Sequence, residues 1–187
     1  MQTLNNPITI EEKELVRRSL QGDSRAQMRL YRKYVQAMFN TVIRMVPNRM
    51  DAEDIIQDVF VKVFRKLSEF REESTLGAWI KRITVNTTLN FIRQKKEIQF
   101  MENEEFERTN LIQEEQKIEP EFSMNQVHGA IKKLPDGCRV VLNLYLLEGY
   151  QHQEIATILK ISESTSKTQY RRGKMLLAKE LRTLNKF

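Results

Sequence analysis

The feature that most constrains this chain of 187 residues is a stripe of apolar residues between positions 51 and 67. These residues recur at spacings of three and four, which places them on one side of an α-helix and indicates that this side faces a core. Asp51 is placed to cap the start of the helix. The stripe consists of Ile55, Ile56, Val59, Phe60, Val63, Phe64 and Leu67, and the opposite, exposed face carries Asp54, Gln57, Asp58 and Lys62.

A second amphipathic helix is predicted in the remainder of 51–96, after a short polar loop. One of its faces carries Ile80, Ile83, Thr87 and Phe91, and another carries Arg82, Asn86, Asn90 and Arg93 at steps of four, four and three. Asn is a mediocre helix former. Amide and guanidinium groups in one row are suited to hydrogen bonds with base edges and phosphates, although an ordinary solvated face is the alternative.

Three segments of this half, DAEDIIQDVF, EFREESTLGAWIKRI and VNTTLNFIR, resemble region two of the bacterial RNA polymerase sigma factors, in the two-domain extracytoplasmic-function (ECF) group. The resemblance implies that the loop and the second helix capture the −10 promoter element as a single strand, with a base flipped into a pocket. A packing role alone for Phe70 and Trp79 is the alternative. The implied −10 contacts are Phe70, Arg71, Ser74, Thr75, Leu76, Trp79, Arg82, Asn86, Asn90 and Arg93.

The same resemblance assigns a second role to the polar face of the first helix. In the family, this surface docks on a coiled coil of the largest polymerase subunit. The residues implied to bind core polymerase here are Asp51, Glu53, Asp54, Gln57, Asp58 and Lys62.

Charge divides the chain into three blocks. Residues 1–96 carry 18 basic and 11 acidic side chains, residues 97–123 carry 2 and 9, and residues 124–187 carry 11 and 5. We therefore expect two small helical domains, 1–96 and 124–187, joined by a flexible acidic linker at 97–123. The fold class predicted is all-α, and the two basic blocks make a polyanionic partner plausible.

The C-terminal block has the pattern of a helix-turn-helix. A helix near 151–159, a short turn and a helix over about 163–181 resemble sigma region four, which reads the −35 element. Two positions depart from the family pattern: Lys160 stands where the turn often has Gly, and Ser166 stands where the recognition helix has an apolar residue. The implied −35 contacts are Ser164, Thr165, Lys167, Thr168, Arg171, Arg172 and Lys174.

Several classes of function are disfavoured by what the sequence lacks. Cys138 is the single cysteine and there are two histidines, so we expect no disulfide, no thiolate or histidine metal cluster and no cofactor. We find no phosphate-binding loop or nucleophile motif and predict no catalytic residues. Without a long apolar segment or a signal peptide, the chain is expected to be cytoplasmic, with no membrane insertion.

The function predicted is that of an initiation factor, not an enzyme, that binds core RNA polymerase and directs it to promoter DNA through the −35 and −10 elements. The resemblance also implies an anti-sigma factor as a partner, and no small-molecule substrate is expected. A stand-alone helix-turn-helix regulator is the alternative, but it leaves residues 51–96 unexplained. An enzyme on a helical scaffold is a third possibility, which the missing motifs disfavour.

Overall fold

The structure is a computed structural model that describes residues 8–95 and 122–184. All regular elements within these residues are helical, which confirms the predicted all-α class. Internal contacts divide the chain into two compact units, Met1–Lys96 and Glu97–Phe187. The predicted acidic linker lies outside the described residues from 97 to 121.

Within residues 8–95 the first unit has four α-helices and one short 3₁₀ turn. Thr9 and Glu12 form a reciprocal capping box at the start of the first helix, so two backbone N–H groups that lack helical partners are satisfied. Asp23 caps the second helix through the N–H groups of the two residues that follow Ser24. The elements are α1 (Ile10–Leu20), α2 (Ser24–Met45), α3 (Arg49–Lys66), the 3₁₀ turn (Leu67–Glu69) and α4 (Leu76–Lys95).

The cap predicted for α3 was wrong. Helix α3 begins at Arg49, and the side chain of Asn48 accepts hydrogen bonds from the N–H groups of Met50 and Asp51. Asn and Asp are equally good capping residues, so residue type alone does not distinguish Asn48 from Asp51. Asp51 instead lies in the first turn, where its negative charge still interacts favourably with the helix dipole.

The core of the first unit is built on the stripe of α3. Six of its seven residues are buried, Phe64 is partly buried, and the Phe60 ring packs edge-on against Tyr31 at 4.7 Å. Leu20 of α1 and Met28 of α2 are about half exposed, although both are apolar.

The buried face of α4 differs from the predicted one, since Ile83 and Phe91 are only partly buried. Thr84 and Thr88 are fully buried because their hydroxyls donate to the carbonyl oxygens one turn earlier, of Ile80 and Thr84. The face that packs into the core includes Ile80, Thr84, Val85, Thr88, Leu89 and Ile92.

Within residues 122–184 the second unit has four helices, of which the last contacts each of the other three. Residues 137–144, in the second of these helices, are all buried, so that helix has no exposed face there. The buried Arg139 is neutralised by Asp136 and donates to the carbonyl oxygen of Leu134 at 2.8 Å. Cys138 is buried. The helices are α5 (Met124–Lys132), α6 (Asp136–Leu146), α7 (His152–Leu159) and α8 (Glu163–Leu184).

Candidate functional site

The exposed side of α3 is a mixed acidic and apolar surface. Helical spacing places five residues on it, which we call the α3 outer face: Met50, Asp54, Gln57, Asp58 and Val61. Met50 is 75% exposed and Val61 is 48% exposed, although both are apolar. Within the described part of the chain, Asp54 and Asp58 form no ion pair. A surface of this composition is suited to binding another macromolecule.

The other residues predicted for this surface lie at its flanks. Glu53 pairs with Arg49 one turn earlier at 2.8 Å. Lys62 is partly buried, and its Nζ lies 3.4 Å from the Thr87 hydroxyl of α4. Asp51 is also partly buried. Sequence reasoning missed Met50 and Val61, although their spacing with Asp54 and Gln57, at steps of four, three and four, repeats that of a helical stripe.

A second surface runs along α4. Helical geometry places Trp79, Arg82, Asn86, Asn90 and Arg93 on one side over about 21 Å; we call this set the α4 row. Arg82, Asn86 and Asn90 are exposed, and Trp79 and Arg93 are partly buried. Arg93 Nη1 lies 3.5 Å from Asn90 Oδ1. Two amide groups, which both donate and accept, thus lie between two guanidinium donors along one side of the helix, beside an aromatic ring.

The loop before α4 supplies the remaining residues of the predicted −10 set. The Phe70 and Trp79 rings contact each other with their centres 5.5 Å apart, and both are partly buried. Arg71 and Ser74 are exposed. Thr75 caps the helix by accepting from the N–H of Ala78 at 3.1 Å.

Leu76, also predicted as a −10 contact, is 1% exposed and therefore belongs to the core. The structure thus brings an aromatic pair, two exposed loop side chains and the α4 row to one end and one side of α4.

The residue that ends the first helix of the helix-turn-helix has a left-handed backbone conformation. Lys160 follows α7 with φ 56° and ψ 45°. Ser166, fully buried in the first turn of α8, lies with its Oγ 2.9 Å from His152 Nδ1. The polar side chain at this buried position is therefore satisfied by a partner on the other helix.

The predicted −35 residues of α8 fall into two groups. Ser164, Lys167, Arg171 and Lys174 are exposed, whereas Thr168 and Arg172 are partly buried. Thr165 is 8% exposed, and its backbone N–H and hydroxyl both contact Ser162 Oγ at the helix start. The exposed side of α8 is therefore basic and polar, while Thr165 serves the helix cap.

Charged groups near the start of α8 shift the pKa values of Glu163 and His152. Glu163 and Lys167 form an ion pair at 2.6 Å, and the hydrogen bond from Lys167 lowers the pKa of Glu163. Burial lowers the pKa of His152, as do the nearby cations Lys167 and Arg171, while Glu163 opposes them. The imidazole is thus held neutral more firmly than in an exposed position.

No group of three or more His, Cys, Asp or Glu side chains in residues 8–95 and 122–184 is arranged to hold a metal ion. A search of the same residues for helices long and apolar enough to cross a membrane also finds none.

Each of the two units contains a match to a known protein family. The sequence model of Sigma-70 region 2 matches residues 30–98, and that of Sigma-70 region 4 matches residues 124–177. The chain is 27% identical over 184 residues to the RNA polymerase sigma-H factor of Pseudomonas aeruginosa, covering 93% of this chain and 95% of that protein. It is 28% identical over 185 residues to the ECF RNA polymerase sigma-E factor of Escherichia coli, covering 94% and 96%.

A solved structure shows the same fold. The sigma factor RpoE of Bartonella quintana, in a complex with the anti-sigma factor NepR, matches with a TM-score of 0.54 and 21% identity, over 83% of this chain and 96% of that one. The two family matches together cover well over half of the chain and fall in the two units that carry the surfaces described above. The chain therefore belongs to the sigma-70 family of RNA polymerase sigma factors, in its extracytoplasmic-function group.

Proposed function

We propose that this chain binds core RNA polymerase through the α3 outer face and directs it to promoters by reading the −10 element with the α4 row and the −35 element with α8. The observation that carries the proposal is the α4 row itself. Five side chains able to stack on a base or hydrogen-bond to it follow one helix whose opposite side is fully used by the core.

The α3 outer face has a composition suited to core polymerase binding. Its two carboxylates offer charge complementarity to a basic partner, which favours fast association and correct register. Met50 and Val61 add apolar area that the fold of the chain leaves exposed. Burying such area on a partner is favourable at about 25 cal/mol per Å².

The two DNA surfaces divide the task of recognition. On α8, the ends of Lys167, Arg171 and Lys174 suit phosphates, which fix position without reading sequence, while Ser164 and Thr168 can reach base edges. On α4, the amides of Asn86 and Asn90 can read an unpaired base only after the duplex has opened. We assign that opening to the complex with core polymerase.

The factor has no catalytic role in this scheme, since polymerase performs the chemistry. It would act in the cytoplasm, where core polymerase and the chromosome are. By analogy with the Bartonella quintana sigma factor solved with its anti-sigma factor, we also propose regulation by an anti-sigma protein.

The test is a double charge reversal on the α3 outer face, Asp54→Lys with Asp58→Lys. The matched control is Glu11→Lys with Glu14→Lys, which makes the same charge change on exposed residues of α1 in the same unit. We expect the α3 variant to bind core polymerase about tenfold more weakly or worse, because charge pairs across an interface contribute at least that much. Helicity measured by circular dichroism should be unchanged. Equal affinity of the α3 variant and the control would refute the assignment.

A further inference from the structure

An ion pair connects helix α1 to the loop of residues 70–75, which joins the 3₁₀ turn to α4. Lys13 Nζ of α1 lies 2.6 Å from Glu72 Oε2 of the loop, with both side chains about half exposed. Glu72 has φ 59°, a left-handed conformation that non-glycine residues rarely adopt. Such conformations persist where surrounding contacts fix them, and Lys13 supplies one such contact.

A second connection runs from α1 to the first turn of α4. Glu12 accepts a hydrogen bond from the Tyr34 hydroxyl at 2.5 Å and forms an ion pair with Lys33 at 2.9 Å. A Cβ atom added at Gly77 would lie 3.2 Å from Tyr34 Cε1, so the Tyr34 ring packs directly on the start of α4. The position of α1 is thereby coupled to the helix that carries the α4 row.

The Glu12 carboxylate is well suited to this role. It also closes the capping box of α1 through the N–H of Thr9 at 3.0 Å. Burial alone would raise its pKa, but the hydrogen bonds from Tyr34, Lys33 and Thr9 outweigh burial and lower the pKa to about 2. The carboxylate is therefore charged at all ordinary pH values, and the connection does not weaken near neutrality.

Both connections originate outside the segment that defines the family in this unit. The Sigma-70 region 2 match begins at residue 30, so it includes neither α1 nor its residues Glu12 and Lys13. The loop and the α4 row lie inside it.

We propose that α1 is a brace for −10 recognition: Lys13, through Glu72, and Glu12, through Tyr34, are positioning residues that fix loop 70–75 and the first turn of α4 without touching DNA. The inference rests on the proposed reading of the −10 element by that loop and the α4 row.

The test is a charge-swap series in the full chain, with Lys13→Glu, Glu72→Lys and the double swap. Arg17→Glu is the matched control, because Arg17 lies on α1, is exposed and pairs with Glu14 within the same helix. Each holoenzyme selects −10 sequences from a randomised promoter library with a fixed −35 element. In the free proteins, emission of Trp79, the single tryptophan, reports on its contact with Phe70.

If α1 braces the loop, both single variants lose about two- to fivefold of −10 discrimination, the range expected for an exposed ion pair. Both also shift Trp79 emission, and the double swap restores both readouts. Arg17→Glu should change neither. Raising the salt concentration should reduce the difference between wild type and the single variants, because the pair is exposed.

A purely electrostatic effect on DNA gives a different pattern. Lys13→Glu would then weaken promoter affinity and Glu72→Lys would strengthen it, with −10 preference and Trp79 emission unchanged in both; that result overturns the brace. An Asn86→Ala arm separates the two proposals. If Asn86→Ala alters −10 preference while the swap series does not, the brace fails and the proposed function stands. If Asn86→Ala has no effect either, −10 reading by α4 fails as well.

Discussion

His152 Nδ1 and Ser166 Oγ lie 2.9 Å apart, and this hydrogen bond joins the first turn of α7 to the first turn of α8. The imidazole also stacks on Tyr145, with the ring centres 4.4 Å apart, while Ser166 is fully buried. A polar contact thus fastens the helix-turn-helix at a position where the family pattern has an apolar side chain. A neutral imidazole suits this place better than a charged one, because positive charges of α8 lie nearby.

The first prediction is that acid destabilises the second unit through His152. Its folded-state pKa is lowered, so below about pH 6.5 the unfolded chain binds more protons than the folded one. The contribution of neutral His152 to the free energy of unfolding is complete above that pH and is lost as the pH falls toward the folded-state pKa. We expect α8 to unfold at a lower urea concentration at about pH 5.5 than at about pH 7.5. The backbone NMR resonances of α8 measure the midpoint of this unfolding.

Two variants isolate the histidine responsible. His152→Phe keeps a ring to stack on Tyr145 but cannot titrate, so its midpoint should change less between the two pH values. His128→Gln, which removes the other histidine and leaves the contact between His152 and Ser166 in place, serves as the control. An equal acid response in wild type and His152→Phe would exclude His152 as the cause.

A second prediction concerns close packing between α6 and α8. A Cβ atom on Gly173 would lie 3.2 Å from Leu142 Cδ1 and 3.3 Å from the backbone oxygen of Cys138, which cannot move aside cheaply. We expect Gly173→Ala to destabilise the second unit by about 1–3 kcal/mol through overpacking. Gly129→Ala on α5, where nothing lies within 4 Å, should instead stabilise it by about 0.5–1 kcal/mol. Urea unfolding measures both, and a stabilising Gly173→Ala would contradict the packing.

The left-handed turn gives a third prediction. Lys160 has φ 56°, where a Cβ atom incurs a steric penalty. Lys160→Gly removes this penalty and should therefore stabilise the second unit by about 1 kcal/mol. Lys133→Gly, at a helix C-cap in the right-handed region, serves as the control and should be neutral or destabilising. Equal effects of the two changes would show that the conformation of Lys160 is not strained.

The sequence predicted the helices well because the side of a helix that carries apolar residues at spacings of three and four is generally the side that is buried. Six of the seven residues of the predicted stripe are buried, and α7 begins one residue later than predicted. Failures occurred where residue type and environment disagree. Thr84 and Thr88 are polar by type, yet they are buried because each hydroxyl bonds to its own helix.

The candidate surfaces were harder to delimit from the sequence for the same reason. An apolar residue on a helix normally indicates core, so Met50 and Val61 were not assigned to the α3 outer face. Conversely, family position assigned DNA contacts to Leu76 and Thr165, whose side chains the structure places in the core and in a helix cap. Packing around each position, which spacing does not encode, decides these cases.

A fourth prediction tests the α4 row. Asn86→Ala should reduce discrimination at one −10 position by about 1–3 kcal/mol, the value of a good bidentate base contact, without altering −35 preference. Asn40→Ala is the matched control, since Asn40 is an exposed residue of α2 whose side chain bonds to Gln36. Sequence selection with each holoenzyme provides the measurement. A −10 preference that is the same in wild type and both variants would remove Asn86 from the reading surface.

The most direct test of the proposed function compares promoter binding by the free chain and by its complex with core RNA polymerase. Fluorescence anisotropy titrations on a selected promoter and on a scrambled duplex, at two salt concentrations, measure both affinity and selectivity. We predict that the free chain binds both duplexes weakly and loses them at the higher salt, because its Lys and Arg contacts fall on phosphates. The complex with core polymerase should strongly prefer the promoter. Tight, promoter-selective binding by the free chain would contradict the proposal and identify a stand-alone regulator instead.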